Sequence, residues 1–215
     1  MRPLTRGESR RVDEVAIREC GMSGLVLMEN AARGCAKIAR EMLSAGGPVA
    51  VLCGKGNNGG DGFAMARHLD NAGVSVRVFA VCDADEMTPD AAANFRLLQW
   101  TGCEVRVCGE VPKGLEDCGL VVDAMLGTGA SGSPRPPLDG WIDAANACGS
   151  PILALDVPSG LDCDTGEPAG PCVRAAVTAT FVAEKVGYLT PAAAAVLGRV
   201  RVVDIGVPRG VLSRV

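Results

Sequence analysis

The chain alternates short apolar runs with segments of helical spacing. Residues 49–53, Val-Ala-Val-Leu-Cys, carry no charge and run into Gly54-Lys55-Gly56-Asn57-Asn58-Gly59-Gly60-Asp61. A short apolar run closed by turn residues predicts a buried strand, and Phe63, Ala66 and Leu69 beyond it predict a helix to about Asn71. Similar runs predict strands at 75–81, 103–107, 120–124 and 151–156, and again at 176–183 and 199–204. Between them, Thr88-Pro89-Asp90 supplies an N-cap and an N1 proline for a helix to about Thr101, and further helices are predicted from Leu138 to about Cys148 and over 192–197. Two helices precede the first strand. Thr5-Arg6-Gly7-Glu8 reads as a capping box for a helix that runs to about Cys20 and stops at Gly21. Leu25, Met28, Ala32, Cys35, Ala39 and Met42 repeat at helical spacing and predict a second helix over 23–44, broken by Gly46-Gly47-Pro48. Strands alternating with helices imply an α/β protein with a mostly parallel sheet and helices on both faces. The N-terminal pair is an addition to that pattern, expected to cover a sheet edge or form a subunit contact. No linker or repeat divides the chain, so residues 1–215 are expected to form one domain.

Composition narrows the partners. The 215 residues are 48% hydrophobic and 21% charged, which suits one full core. A net charge of −4 without a basic tract, and 3% aromatics, argue against nucleic acid. The ten cysteines form no Cys-x-x-Cys pair and His68 stands alone, so a zinc site is not expected. No apolar run reaches membrane-spanning length and no apolar signal segment opens the chain, so a reducing cytoplasmic location is expected.

Polar residues close three of the apolar strands. Asn57, Asn58 and Asp61 follow the first, Asp123 ends the fourth, and Asp156 ends the fifth with Ser159 just beyond. In a parallel sheet these ends share one edge. In a 3-2-1-4-5 order the first and fourth strands flank the switch point where ligands bind. The Gly-rich stretch matches G-x-G-x-x-G, but Asp83 comes late for the ribose-reading acid, and no Lys-Ser or Lys-Thr makes it a phosphate loop of the Walker type. Backbone N–H groups at the following helix start favour an anion. Asn58, Asp123 and Ser159 offer oxygen ligands for a hard cation; capping of nearby loop amides is the alternative for each. Burial of Asp156 would raise its pKa and suit it to shuttling protons; ionisation by loop N–H groups is the alternative. Lys185 lies just past a strand, within reach of a phosphate or else a solvated loop residue. His68 reads as a structural helix residue.

Three motifs in order, Gly54–Gly62, Val121-Val122-Asp123-Ala124-Met125-Leu126-Gly127-Thr128-Gly129 and Leu155-Asp156-Val157-Pro158-Ser159-Gly160-Leu161-Asp162, resemble the YjeF N-terminal domain, the NAD(P)H-hydrate epimerases. Leu25-Val26-Leu27-Met28-Glu29-Asn30-Ala31 also resembles the family's second helix, and the likeness extends to Val203-Asp204-Ile205-Gly206-Val207-Pro208. The resemblance implies a Rossmann-like three-layer αβα sandwich, usually a homodimer, that interconverts the R and S epimers of hydrated NADH and NADPH. It implies nucleotide binding by Asn57, Asn58, Gly59, Gly60 and Asp61, by Gly127, Thr128, Gly129, Ala130, Ser131, Gly132 and Ser133, and by Asp156. It implies a potassium ion on Asn58, Asp123 and Ser159. Asp156 is the expected acid/base. The family often carries a fused dehydratase domain, whose absence from this sequence implies a separate dehydratase chain. The prolines within 131–137 depart from the family pattern. A non-catalytic scaffold domain of the same fold and an ordinary NAD(P)-dependent oxidoreductase are the competing readings; the intact motifs oppose the first, and the lone histidine and missing ribose-reading acid oppose the second.

Overall fold

A computed structural model describes residues 2–43 and 46–215. The helices are α1 (Arg6–Arg18), α2 (Gly24–Met42), α3 (Asn57–Asn71), α4 (Pro89–Leu97), α5 (Leu138–Ala147), α6 (Pro191–Leu197) and α7 (Arg209–Leu212). The strands are β1 (Val49–Cys53), β2 (Val76–Ala80), β3 (Glu104–Val107), β4 (Leu120–Ala124), β5 (Ile152–Leu155), β6 (Val177–Phe181) and β7 (Arg199–Val203). They form one sheet in the order β3-β2-β1-β4-β5-β6-β7. Every pairing is parallel, so the expected mostly parallel sheet is wholly so. β1 and β4 adjoin, which puts the switch point between them.

The sheet has two covered faces because alternate residues of a strand point opposite ways. Val49, Val51 and Cys53 of β1 pack under α2 and α3, with Ala32, Cys35 and Phe63 in the same cluster. Ala50 and Leu52 point the other way, onto Trp141 and Ile142 of α5. Each such buried aliphatic side chain contributes about 1.5–3 kcal/mol. Asn57 opens α3 immediately after β1, so that helix start sits at the switch point.

The N-terminal helices leave the β3 edge open, and α2 packs toward β6 and β7, the opposite edge of the sheet. The inner face of α2 carries Ala31, Ala32, Cys35 and Ala39, small residues that let it lie close on α3 and over Val203 of β7. At the outer edge, β3 stays exposed along its length. α1 has the full capping box at Thr5 and Glu8, and packs Val12 and Val15 against Leu4, Ala183 and Val211. Leu4 is strand-paired with Lys185: its N–H donates to the Glu184 carbonyl at 2.8 Å, and its carbonyl accepts from Val186 N–H at 3.0 Å. α1 ends at Arg18, with Gly21 in the left-handed region at φ 73°. α2 ends at Met42, and the expected last residue, Ser44, lies outside the described residues. α7 was not foreseen.

Candidate active site

Asn57, Asn58, Gly59, Gly60 and Asp61 form the first turn of α3 rather than a loop before it. None of Gly54, Gly56, Gly59 and Gly60 takes a positive φ, so the glycines answer close approach instead. A Cβ on Gly59 would stand 1.8 Å from the Gly54 carbonyl oxygen. A Cβ on Gly60 would stand 2.6 Å from Met28 Cε and 3.0 Å from Ala91 Cα. Without side chains there, α3 rises from the end of β1 with Asn57 and Asp61, one turn apart, facing a cleft, and Asn58 turned toward β4.

Asn58 meets the other two proposed cation ligands. Its Nδ2 donates to the Leu126 carbonyl at 2.8 Å, and its Oδ1 is buried with no partner. Asp123 is fully buried: Oδ2 accepts from Ser159 N–H at 2.8 Å, and Oδ1 from Ser159 Oγ at 2.6 Å and Met125 N–H at 3.2 Å. Burial pushes the Asp123 carboxyl up to about 6 against these hydrogen bonds, which lower it. An orphaned amide oxygen and a buried carboxylate without a counter-cation, with a hydroxyl and the Leu126 carbonyl between them, fit a hard cation held by oxygen. Among the described residues, no group of three or more His, Cys, Asp or Glu could hold a metal ion, so a cation here would rest on amide, hydroxyl and carbonyl oxygens beside the single Asp123 carboxylate.

The cleft lies above β1, β4, β5 and β6, walled by α1, α2, α3 and the segment after β6. Asp156 stands at its base with a φ of 62°, a left-handed backbone. Lys185 Nζ lies 3.0 Å from Asp156 Oδ1 and donates to Thr180 Oγ1 at 2.8 Å and to the Phe181 and Ala183 carbonyls, each at 3.1 Å. Lys185 is 1% exposed, so it is neither a solvated loop lysine nor free to reach for a phosphate. Its stem crosses an apolar core while its ammonium meets four oxygens. Asp156 therefore has a counter-cation that its apolar strand gave no hint of. Phe181 N–H and Thr128 N–H, each at 3.4 Å, also point to its carboxylate. Between the two, Val182 lines the cleft at φ 67°, a conformation costly for a β-branched residue.

Asp61 opens onto the cleft. Burial, and then the charges of Asp156 and Asp13, push its carboxyl well above the usual range. Asp13, on α1, lies in the same cleft, its outer side open to solvent. Desolvation and then Asp156 raise it to about 6, with Lys185 opposing. Thr128 lines the cleft; Gly127, Gly129, Ala130, Ser131, Gly132 and Ser133 do not, and neither do Gly59 and Gly60. His68 keeps its structural role, Nε2 lying 2.8 Å from Glu29 Oε1. The sequence reading missed Ser9 and Asp13. Their spacing of four on α1 was visible, but not the surface they face.

Residues 24–187 match the family of the YjeF-related protein N-terminus. A protein of Rhodopirellula baltica named NAD(P)H-hydrate epimerase is 43% identical over 99% of this chain and 87% of its own length. One of the same name from Pirellula staleyi is 44% identical over 98% of this chain and 95% of its own. A protein of Salinibacter ruber named bifunctional NAD(P)H-hydrate repair enzyme Nnr is 42% identical, and the likeness spans 42% of its length. The crystal structure of yeast ynu0, YNL200c, superposes with a TM-score of 0.79 at 25% identity, covering 87% of this chain and 83% of that one. With strands β1 to β6, the first turn of α3 and the Asp123–Ser159 pair all carried within the matched segment, the chain belongs to the YjeF-related N-terminal family.

Proposed function

We propose that the protein is an NAD(P)H-hydrate epimerase, an isomerase that interconverts the R and S epimers of hydrated NADH and NADPH in nicotinamide nucleotide repair. The observation that carries this reading is the 43% and 44% identity, over nearly the whole chain, to proteins of that name. The cleft supports it: carboxylates meet a helix N-terminus at the C-terminal edge of a parallel sheet.

The hydrate carries a hydroxyl on the carbon next to the ring nitrogen. Protonation of that hydroxyl lets the nitrogen lone pair expel water, and water returns to the other face of the iminium. The chain must hold the nucleotide, supply a proton and stabilise a cationic ring. We assign nucleotide binding to Asn57, Asp61, Thr128 and Asp156, with the first-turn amides of α3 receiving a phosphate. Gly59 and Gly60 serve through those amides, and the loop from Gly127 to Ser133 closes over the nucleotide. Asp156 is the catalytic carboxylate: its ion pair with Lys185 fixes its position, so it faces the ring as positive charge develops. Asp156→Asn is expected to bind nucleotide and lose most turnover.

Asn58, Asp123 and Ser159 are the proposed holders of potassium, supported by the unpartnered Asn58 Oδ1. When bound, the ion would neutralise Asp123 and stiffen the loops after β4 and β5. We further propose a cytoplasmic homodimer that works alongside a dehydratase acting on one epimer. No helix among the described residues is long and apolar enough to cross a membrane, and the cysteines are unpaired. The exposed edge of β3 and Trp100, 82% exposed, offer surface for self-association.

The test is an epimer assay. Separated S and R hydrates of NADPH are followed by chromatography at neutral pH, in potassium and in sodium. Interconversion well above the spontaneous rate is expected; nucleotide binding without acceleration would leave only a binding domain.

A further inference from the structure

We propose that Asp13 of α1, outside the segment matched to the family, is the residue that gives and takes the proton in the reaction. The inference deepens the epimerase reading and rests on it. Three observations carry it.

First, α1 forms one wall of the cleft and presents two polar residues there, Ser9 and Asp13, one helical turn apart. The Ser9 hydroxyl is buried and has no partner. Among the described residues, the Asp13 carboxyl has no ion pair and no hydrogen bond with the rest of the chain, although α1 carries several paired arginines and glutamates. A wall with two unengaged polar groups facing a cleft is arranged for a polar ligand atom.

Second, the other cleft carboxyls are less suited to carrying a proton both ways. Asp156 Oδ1 is occupied by Lys185, Thr180 and Phe181 N–H. Asp61 is 7% exposed, and burial raises its carboxyl, so it exchanges with bulk water less readily than Asp13. Asp13 opens to solvent and can re-equilibrate with water between turnovers.

Third, the charges around Asp13 suit an acid that works near neutrality. It is faced by Asp61 of α3, Asp90 of α4, Asp156 after β5 and Lys185 after β6, all in the same cleft. Desolvation and Asp156 raise it to about 6, while Lys185 limits the rise. A group titrating near the working pH both donates and accepts readily.

The step balances without a co-reactant. The Asp13 carboxyl gives its proton to the hydroxyl oxygen as the C–O bond breaks. The bonding pair leaves with water, and the ring nitrogen's lone pair forms the C=N bond of the iminium. The iminium ring turns about its bond to the ribose, so that its other face meets the same carboxylate; water attacks that face, its pair forming the new C–O bond and its proton passing to the Asp13 carboxylate. Ser9 Oγ holds the departing or arriving water. The products are the other epimer and a carboxyl restored to its starting state.

The test measures kcat and KM for the separated S epimer of hydrated NADPH from pH 5 to 9, with the spontaneous rate subtracted. The wild type, Asp13→Asn and Asp13→Ser are compared. In the wild type, kcat/KM is expected to fall as pH rises through about 6, because the acid form is needed. In both variants kcat is expected to drop about 10²–10⁴-fold with that limb lost and KM little changed. Asp13→Glu restores part of kcat and the limb. A variant with wild-type kcat and an unchanged pH profile overturns the assignment while leaving the epimerase intact. A wild type that does not accelerate epimerisation overturns the epimerase reading, and the assignment with it.

Discussion

Replacing Lys185 with methionine isolates the ion pair at the base of the cleft. Methionine keeps an unbranched apolar stem, so the packing around the 1%-exposed side chain is largely retained. What is lost is the ammonium, which lies within 3.1 Å of Thr180 Oγ1, Asp156 Oδ1 and the Phe181 and Ala183 carbonyls. Breaking one side of a buried pair costs about 3–5 kcal/mol, because the remaining charge loses its compensation. Total stability is about 5–15 kcal/mol, so the loss is a large share of it. For a chain of this length it corresponds to a fall in Tm of about 6–20 °C. The deficit is read by urea unfolding at pH 7. Adding Asp156→Asn should cost less than the sum of the two single changes. A deficit below about 1 kcal/mol at pH 7 would refute the argument.

Gly59→Ala is expected to lose at least about 1–3 kcal/mol, because its Cβ would stand 1.8 Å from the Gly54 carbonyl oxygen. Gly56→Ala, with open space around its Cβ, should unfold at nearly the wild-type urea concentration; equal losses at the two sites would remove close approach as the cause. Thr5→Ala removes the capping-box acceptor of Glu8 N–H and should cost about 1 kcal/mol by the same measurement. Potassium chloride should raise Tm above its value in choline chloride of equal ionic strength, by a ligand-binding shift that grows with potassium concentration. Asn58→Ala should abolish that difference, and a variant that keeps it would take Asn58 out of the site.

The apolar runs at 49–53 and 120–124 give β1 and β4 their observed bounds, because fully buried parallel strands are apolar on both faces. From those two strands, the positions of Asp123 and of the first turn of α3 followed. The glycines were legible as special but not in their reason: a sequence does not distinguish a positive φ from a close approach. Lys185 resisted reading because a lysine after a strand is ordinarily solvated. Its burial depends on oxygens from Thr180, Phe181 and Ala183 that converge only once the chain turns through Val182. Asp13 was hidden differently. The capping box at Thr5 and Glu8 marked the helix, but the cleft on its flank belongs to elements far away in sequence.

The pairing of Leu4 with Lys185 bears on how the molecule assembles. During synthesis α1 emerges before every strand of the sheet, yet the backbone edge it is tied to lies far along the chain, at Glu184 and Val186. Until Glu184 and Val186 leave the ribosome, α1 lacks this backbone pairing and is held by its capping box, by Ala16 in the core beneath α2 and by Arg6 on Asp162, and a helix of 13 residues is marginal in water without such contacts. The sheet from β1 to β5 can form beforehand, since all five strands precede Asp156 in the chain. The cleft wall would then be the last part to dock, and nascent chains released before residue 186 would be largely folded but open on one side. Amide exchange at Leu4 and Val186 would time that closure.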